Sequence, residues 1–433
     1  MSDYPLISTV EEVEALAKRL RRERALAIDT EADSFFHYYD KVCLIQIAGK
    51  SGIYLVDPLA LPEKGLEPLE PVLSDPSIRK VLHAAEYDLY VLQRYGGVRI
   101  RNLFDTMISA QLLGCSAVGL GALVKEHFGI ELSKDQQRTD WSRRPLRDVQ
   151  IEYAKSDVAY LIEMATLLEK KLREKKRLKW AQQEFLALEE RVWTEREFDG
   201  TGYLKIKGAK KLTPQGLAVL RELYLMRVRR AREIDRPPFK VLGNGTMLDL
   251  AQRPPQSKRA LAGRKGVTDL VLRRMGEDLL ASVARGLEGP EHPPLERKPS
   301  GRGRKRLDRR GEKLMEFLKK WRASQSAELE LDPGVFCANA ALEQIAASAP
   351  ESLDELQGLE TVKGWWVDAF GPQVLQALAA ERERLVEKAQ GAGAASPSHD
   401  GTTGKKSRSA RRRARRRRAR KSANAVGSGE ETG

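Results

Sequence analysis

Apolar residues follow two different periods along this chain. Short runs come first: Leu26, Ala27 and Ile28 within ALAIDTEAD, then residues 42–48 (VCLIQIA), 53–56 and 81–83. Runs of this length, bounded by polar residues and glycines, read as strands. Residues 25–29 form the first strand, and 49–52 make the turn between the next two. Thr9 with Glu12 fits a capping box that opens a helix to about Arg22. The 81–83 run feeds a helix to Tyr95. Later segments are mostly helical. Strands bunched early and then alternating with helices predict a mixed sheet covered by helices over residues 1–200, an α/β fold.

The period changes after residue 210. Leu217, Leu220, Leu223, Tyr224 and Met226 recur at helical spacing, and Pro237, Pro238, Pro254 and Pro255 interrupt the pattern. Thr246 is expected to cap the LDLAQ helix. Residues 210–286 therefore read as a small all-α bundle. Residues 311–386 repeat the theme, with breaks at Pro333, Pro350 and Gly364. WWVDAFGPQVLQAL there parallels LVLRRMGEDLLASV in the first bundle.

Composition narrows the class. With 433 residues, 41% of them hydrophobic, the chain has length for two to four domains. Cys43, Cys115 and Cys337 are far apart and odd in number. That argues against a zinc site or a disulfide framework, and for small buried side chains in a reducing compartment. No apolar run reaches the roughly 18 residues of a membrane span, and the N-terminus lacks signal-peptide character. A cytoplasmic protein is the expectation. The net charge of +15 is uneven. Residues 405–421 hold 12 Lys or Arg and no acid, and residues 297–310 hold 8 basic residues against Asp308. The rest is near neutral or slightly acidic. Residues 287–310 read as a basic linker and 390–433 as a disordered Arg-rich tail. Both are candidates for phosphate binding that weakens with salt. GTTGKKS at 401–407 is too short for a phosphate loop and follows no strand, so no ATP site is expected.

The candidate chemistry lies in carboxylates. Asp29 and Glu31 alternate with Thr30 on a strand, so they share one face and Thr30 takes the other. Asp88 opens the helix after the 81–83 strand. Tyr153 and Asp157 are four apart in EYAKSDVAYL and share a helix face. Any one of these acids alone reads as a solvated charge, and Asp105 reads as a helix N-cap. Clustered by a fold, they would repel one another unless cations bind between them. Two divalent ions held by carboxylates make a phosphoryl-transfer site.

The set resembles the DEDDy group of 3′–5′ exonucleases, and most closely ribonuclease D. The resemblance extends to the VCLIQIA strand, to His83 five residues before Asp88, to the FDT stretch at 104–106 expected to open a helix, and to SKDQQRTDWSRRPL at 133–146. The segment RRAREIDRPPFKVLGNGTMLDLAQRPPQSKRALAG resembles the HRDC module, and 311–386 looks like a second copy. The resemblance implies a ribonuclease H-like fold. It implies that Asp29, Glu31, Asp88 and Asp157 bind two Mg²⁺ or Mn²⁺ ions, with Tyr153 orienting the attacking water. It implies release of nucleoside 5′-monophosphates from RNA 3′ ends, such as tRNA precursors. Thr30, Gln46, His83, Lys134 and Gln137 are the substrate-contact candidates, whereas Trp141 and Arg144 are expected to pack and anchor a loop. The competing readings are a DNA 3′ exonuclease, which differs by 2′-hydroxyl contacts, and a non-catalytic RNA binder.

Overall fold

The computed structural model describes residues 6–39, 41–193, 198–290 and 307–394. Most of the Arg-rich tail (395–433) and of the basic linker (291–306) therefore lies outside the described residues. The described residues up to Leu378 form one compact unit, and those from Ala379 to Ala394 fall in another. Among the described residues no helix is long and apolar enough to cross a membrane.

The first element is helix α1 (Val10–Leu20), and Thr9 and Glu12 form the expected capping box. Five strands follow with helices between them: β1 (Ala25–Ala32), β2 (Val42–Gly49), β3 (Gly52–Val56), α2 (Glu70–Leu73), β4 (Arg79–Leu82), α3 (Glu86–Gly96), β5 (Leu103–Asp105) and α4 (Thr106–Leu113). Four more helices complete this part: α5 (Leu120–Phe128), α6 (Asp148–Ala159), α7 (Leu161–Glu174) and α8 (Leu178–Glu189). The sheet order is β3-β2-β1-β4-β5. β1 pairs antiparallel with β2, and β2 with β3, while β1–β4 and β4–β5 are parallel. The sheet is mixed, as the strand and helix order predicts. Leu26, Ala27 and Ile28 are fully buried in succession, because both faces of a central strand are covered.

Three boundaries differ from the sequence expectation. β1 runs to Ala32, three residues beyond Asp29, because Thr30, Glu31 and Ala32 pair with Ile45, Leu44 and Val42 through a register shift at Glu31/Ala32. Partner strands, not local pattern, set its length. β5 was not anticipated. Its three residues are too few to show alternation, and its pairing with β4 makes it a strand. Asp105 is thus the last strand residue and, at once, the N-cap of α4. β4 ends at Leu82, so His83 lies just past it.

The two helical modules repeat one plan. The first comprises α9 (Pro214–Glu233), α10 (Pro238–Val241), α11 (Asn244–Gln252), α12 (Lys258–Ala262) and α13 (Asp269–Glu288). The second comprises α14 (Arg309–Glu328), α15 (Pro333–Phe336), α16 (Asn339–Ser348), α17 (Leu353–Gln357) and α18 (Gly364–Ala394). A hydrogen-bonding detail repeats with them. Arg227 donates to the Leu242 carbonyl at 3.1 Å and to Asn244 Oδ1 at 2.7 Å. Arg322 donates to the Cys337 carbonyl and to Asn339 Oδ1, both at 2.8 Å. Each arginine ties the long first helix to the start of the third. Thr246 does not cap its helix, since α11 starts at Asn244 behind Gly243. Its hydroxyl instead faces Gly266, whose φ of 82° and closeness to Thr246 leave no room for a Cβ.

The modules also grip the sheet part. Asp235, just after α9, accepts hydrogen bonds from the Tyr38 and Tyr39 amides at 3.0 and 3.2 Å and contacts His37 Nδ1 at 2.8 Å. His37 Nε2 lies 3.2 Å from Ser142 Oγ. The β1–β2 loop is thereby latched to the first module and to the loop before α6. In the second module, Trp365 stacks on Trp180 with centroids 4.8 Å apart, and the buried Arg177 guanidinium donates to the Leu112 and Leu329 carbonyls.

Candidate active site

Three elements converge at the end of β1. Asp29 and Glu31 project from the strand, and Asp157 projects from α6. One carboxylate oxygen from each lies within 4.8 Å of the others. Asp88, the third residue of α3, joins them electrostatically. Its position is held from behind, where the Thr30 hydroxyl donates to Asp88 Oδ1 at 2.5 Å. Glu31 and Asp88 are 8% and 6% exposed, so they are withdrawn from water rather than solvated.

Burial and repulsion set the charge state of this cluster. Burial, then Asp88, Asp157 and Glu31, push Asp29 well above the carboxylate range. Burial, then Asp157 and Asp88, push Glu31 up to about 9. Burial raises Asp88 to about 7 against the Thr30 hydrogen bond, which favours its anion. Burial raises Asp157 to about 6 against the bond donated by Tyr153. The Tyr153 phenol is pushed above its usual range by burial and by the surrounding acids. Four acids so placed cannot all ionise without a compensating cation. Their donors are hard carboxylate oxygens, the set that Mg²⁺ and Mn²⁺ prefer, so the residues present fit divalent ions.

A second layer orients the first. Asp105 Oδ1 accepts from the Met107 and Ile108 amides at 2.8 and 3.0 Å and from Ala84 at 3.3 Å, while Oδ2 accepts from Ala85 at 2.8 Å. One buried carboxylate thus caps its own helix, as expected, and also fixes the entry into α3, two residues from Glu86 and four from Asp88. His83 Nδ1 lies 2.9 Å from Thr106 Oγ1, and that hydroxyl donates to the Leu82 carbonyl at 3.1 Å. Thr106 must then accept from Nδ1–H, which assigns Nε2 as the bare acceptor. Burial lowers the His83 imidazole to about 4, so the ring is neutral at pH 7.

The remaining candidates separate by position. Gln46 is the cross-strand partner of Asp29, and facing residues of such a pair share one side of the sheet. It is fully buried, and neither amide atom has a hydrogen-bond partner among the described residues. Lys134 and Gln137 are exposed on the loop between α5 and α6. Trp141 is buried and packs on the Tyr153 ring at 6.0 Å. Arg144 grips Asp57 with two 2.6 Å bonds and donates to the Cys43 carbonyl at 2.7 Å. These two do pack and anchor. Thr106, the second role of Asp105 and the Asp235 latch were missed. An FDT stretch and an acid after a long helix were the only local signs of them.

Comparison with known proteins agrees with this geometry. A 3′–5′ exonuclease family model matches residues 4–173, and an HRDC domain model matches 216–283 and 304–378. The chain is 31% identical to ribonuclease D of Pseudomonas paraeruginosa over 379 residues, covering 86% of this chain and 98% of that one. The chain belongs to the ribonuclease D family. It is 32% identical to the Desulfotalea psychrophila ribonuclease D over 67% of this chain and 78% of the other. The crystal structure of Escherichia coli RNase D, an exoribonuclease involved in structured RNA processing, superposes with a TM-score of 0.62 at 26% identity, covering 88% and 99% of the two chains. The catalytic core of RRP6 from Trypanosoma brucei superposes with a TM-score of 0.61 at 29% identity, covering 66% of this chain and 82% of that one. As a ribonuclease D, this chain is a 3′–5′ exoribonuclease acting on RNA.

Proposed function

We propose that this ribonuclease D trims the 3′ ends of structured RNAs, tRNA precursors among them, with two divalent ions held by Asp29, Glu31, Asp88 and Asp157. The observation that carries the reading is the convergence of Asp29, Glu31 and Asp157 within 4.8 Å, beside a buried Asp88. What Mg²⁺ or Mn²⁺ supplies in such a cluster is Lewis acidity toward the attacking water and the departing 3′ oxygen.

The protein's own groups do the rest. Tyr153 keeps its proton at neutral pH, so it acts as a hydrogen-bond donor that orients and not as a base. Its bond to Asp157 and its packing on Trp141 fix the hydroxyl at the mouth of the cluster. Thr30 holds Asp88 in place. His83 presents neutral Nε2 as an acceptor, which suits a sugar hydroxyl of the terminal nucleotide. Gln46 offers an unpaired amide beside Asp29. Lys134 and Gln137, on the exposed loop before α6, meet the RNA backbone. The Arg-rich segment adds sequence-independent attraction to phosphates.

The test uses 5′-labelled RNA carrying a 3′ extension and a matched DNA strand. A ladder of shortening RNA, abolished by EDTA and by Asp29→Asn, is the expected result. Near-normal cleavage by Asp29→Asn would overturn the metal assignment. Shortening of the DNA alone would overturn the RNA substrate.

A further inference from the structure

A polar side chain sits in the apolar layer between the sheet and α6. Gln46 stands opposite Asp29 in the β1–β2 ladder, on the side of the sheet from which the acids project. Its other neighbours on that side are apolar. They are Leu44 and Ala48 along β2, because alternate strand residues share a side, and Leu55 across from it on β3. All three are buried. Leu44 and Leu55 belong to one cluster with Trp141 and with Ala154 of α6, and Tyr153 packs against it. Gln46 is enclosed in this layer with 0% exposure, and both atoms of its amide lack a hydrogen-bond partner among the described residues. Gln150, the buried glutamine of α6, shows the usual outcome of burying an amide. Its Nε2 donates to Thr139 Oγ1 at 3.2 Å, and its Oε1 accepts from the Arg147 amide at 3.2 Å.

We propose that Gln46 is a positioning residue for Asp29: its Nε2–H donates through one ordered water to the Asp29 carboxylate and holds that carboxylate in its metal-binding orientation. The inference rests on the acid cluster being the metal site, as proposed above. Three observations carry it. Directly opposed residues of an antiparallel pair have Cβ atoms about 5 Å apart, so the two side chains are within the reach of one bridging water. Asp29 is the polar group among the strand residues that flank Gln46 on this side. The Thr30 hydroxyl and Tyr153 donate to Asp88 and Asp157, and Gln46 is placed to do the same for Asp29. Finally, packing does not account for a glutamine here. A methionine or leucine would fill the layer without stripping water from an amide, and departures of this kind gather at functional sites. Its full enclosure keeps the amide away from the nucleotide, so it acts through Asp29.

The experiment measures Mn²⁺ binding to the full chain without RNA, from the electron paramagnetic resonance signal of the free ion, alongside urea unfolding in EDTA. Gln46→Met and Gln46→Leu remove the amide at similar volume, and Gln46→Asn keeps a donor on a shorter stem. The expected result is an about tenfold weaker Mn²⁺ Kd in the two apolar variants, with the metal-free chain as stable as the unaltered protein or more so. Gln46→Asn should bind Mn²⁺ more tightly than either. In cleavage assays, the Gln46→Met defect should disappear at saturating Mn²⁺, with KM for RNA unchanged. A Kd equal to that of the unaltered protein in whichever apolar variant folds would overturn the role of Gln46 and leave the metal site standing. Loss of stability at an unchanged Kd would do so too, because the amide would then be structural. A raised KM for RNA that persists at saturating Mn²⁺ would also overturn it, because the amide would then touch the substrate. Should neither apolar variant fold, a Gln46→Asn Kd at or tighter than that of the unaltered protein would still count against it. Failure of the unaltered protein to bind Mn²⁺ would sink the metal reading of the acids and this role together.

Discussion

The Thr30 hydroxyl donates a 2.5 Å hydrogen bond to Oδ1 of Asp88, so the middle residue of Asp-Thr-Glu ties β1 to the helix that brings the fourth acid. Replacing Thr30 with Val keeps the shape and removes the donor. Asp88 then loses the bond that favours its anion. Mn²⁺ affinity should fall about tenfold, the usual scale for losing a partner behind a metal ligand. Cleavage at limiting Mn²⁺ should fall in step and recover at high Mn²⁺. Titration of activity against metal checks this. Equal midpoints for the two proteins would show that Thr30 does not act through Asp88.

The acid cluster makes stability depend on pH in a definite direction. Glu31 at about 9, Asp88 at about 7 and Asp157 at about 6 all lie above their unfolded values. Between about pH 4 and pH 9 these carboxylates in the metal-free folded chain therefore hold more protons than they do unfolded, and their contribution to stability falls as pH rises through that window. Divalent ions bind the deprotonated carboxylates, so their stabilisation grows with pH. Melting temperatures at about pH 6 and about pH 8.5, in EDTA and in Mn²⁺, should show a wider gap at the higher pH. A gap that narrows instead would remove these carboxylates as ligands.

Asp105 caps two helices with one buried side chain. Asp105→Ala leaves four amides without that acceptor and should destabilise the protein by about 2 kcal/mol or more. It should also loosen Asp88. Urea unfolding measures the first effect. The second appears as a raised Mn²⁺ requirement at temperatures where the variant is still folded. Destabilisation with an unchanged metal requirement would confine Asp105 to a structural role.

Asp235 holds the β1–β2 loop from the first helical module. Asp235→Ala removes the acceptor for the Tyr38 and Tyr39 amides and the partner of His37. Those two amides should exchange with solvent faster by a factor that matches a loss of about 1–2 kcal/mol. KM for RNA should rise more than kcat falls, because the loop borders the acids without supplying one. Unchanged exchange at both tyrosines would show that the latch does not order the loop.

The Arg-rich segment should act through charge alone. Removing residues 397–433 is expected to weaken RNA binding at low salt and to flatten the salt dependence of log Kd, while cleavage at saturating RNA keeps its rate. Binding measured across a salt series decides it. A truncated protein with the full salt slope would exclude the segment as a phosphate binder.

The chain's local chemistry determined a good deal by itself. The strands at β1, β2 and β3, the capping box at Thr9 and the two proline-broken bundles were legible because apolar period and capping are local. Asp29, Glu31, Tyr153 and Asp157 were legible as pairs because i, i+2 on a strand and i, i+4 on a helix fix a shared face. Tertiary structure decided what lay between such segments. It extended β1 past Asp29 by pairing with β2, made a strand of Leu103–Asp105, and moved the start of α11 away from Thr246. It joined Thr30 to Asp88 across 58 positions, Asp105 to Ala85 across 20 and His37 to Asp235 across 198. No local period encodes those pairs. They form because packing the sheet, helices and first module brings the groups together, and a buried carboxylate must then find donors wherever the fold places them.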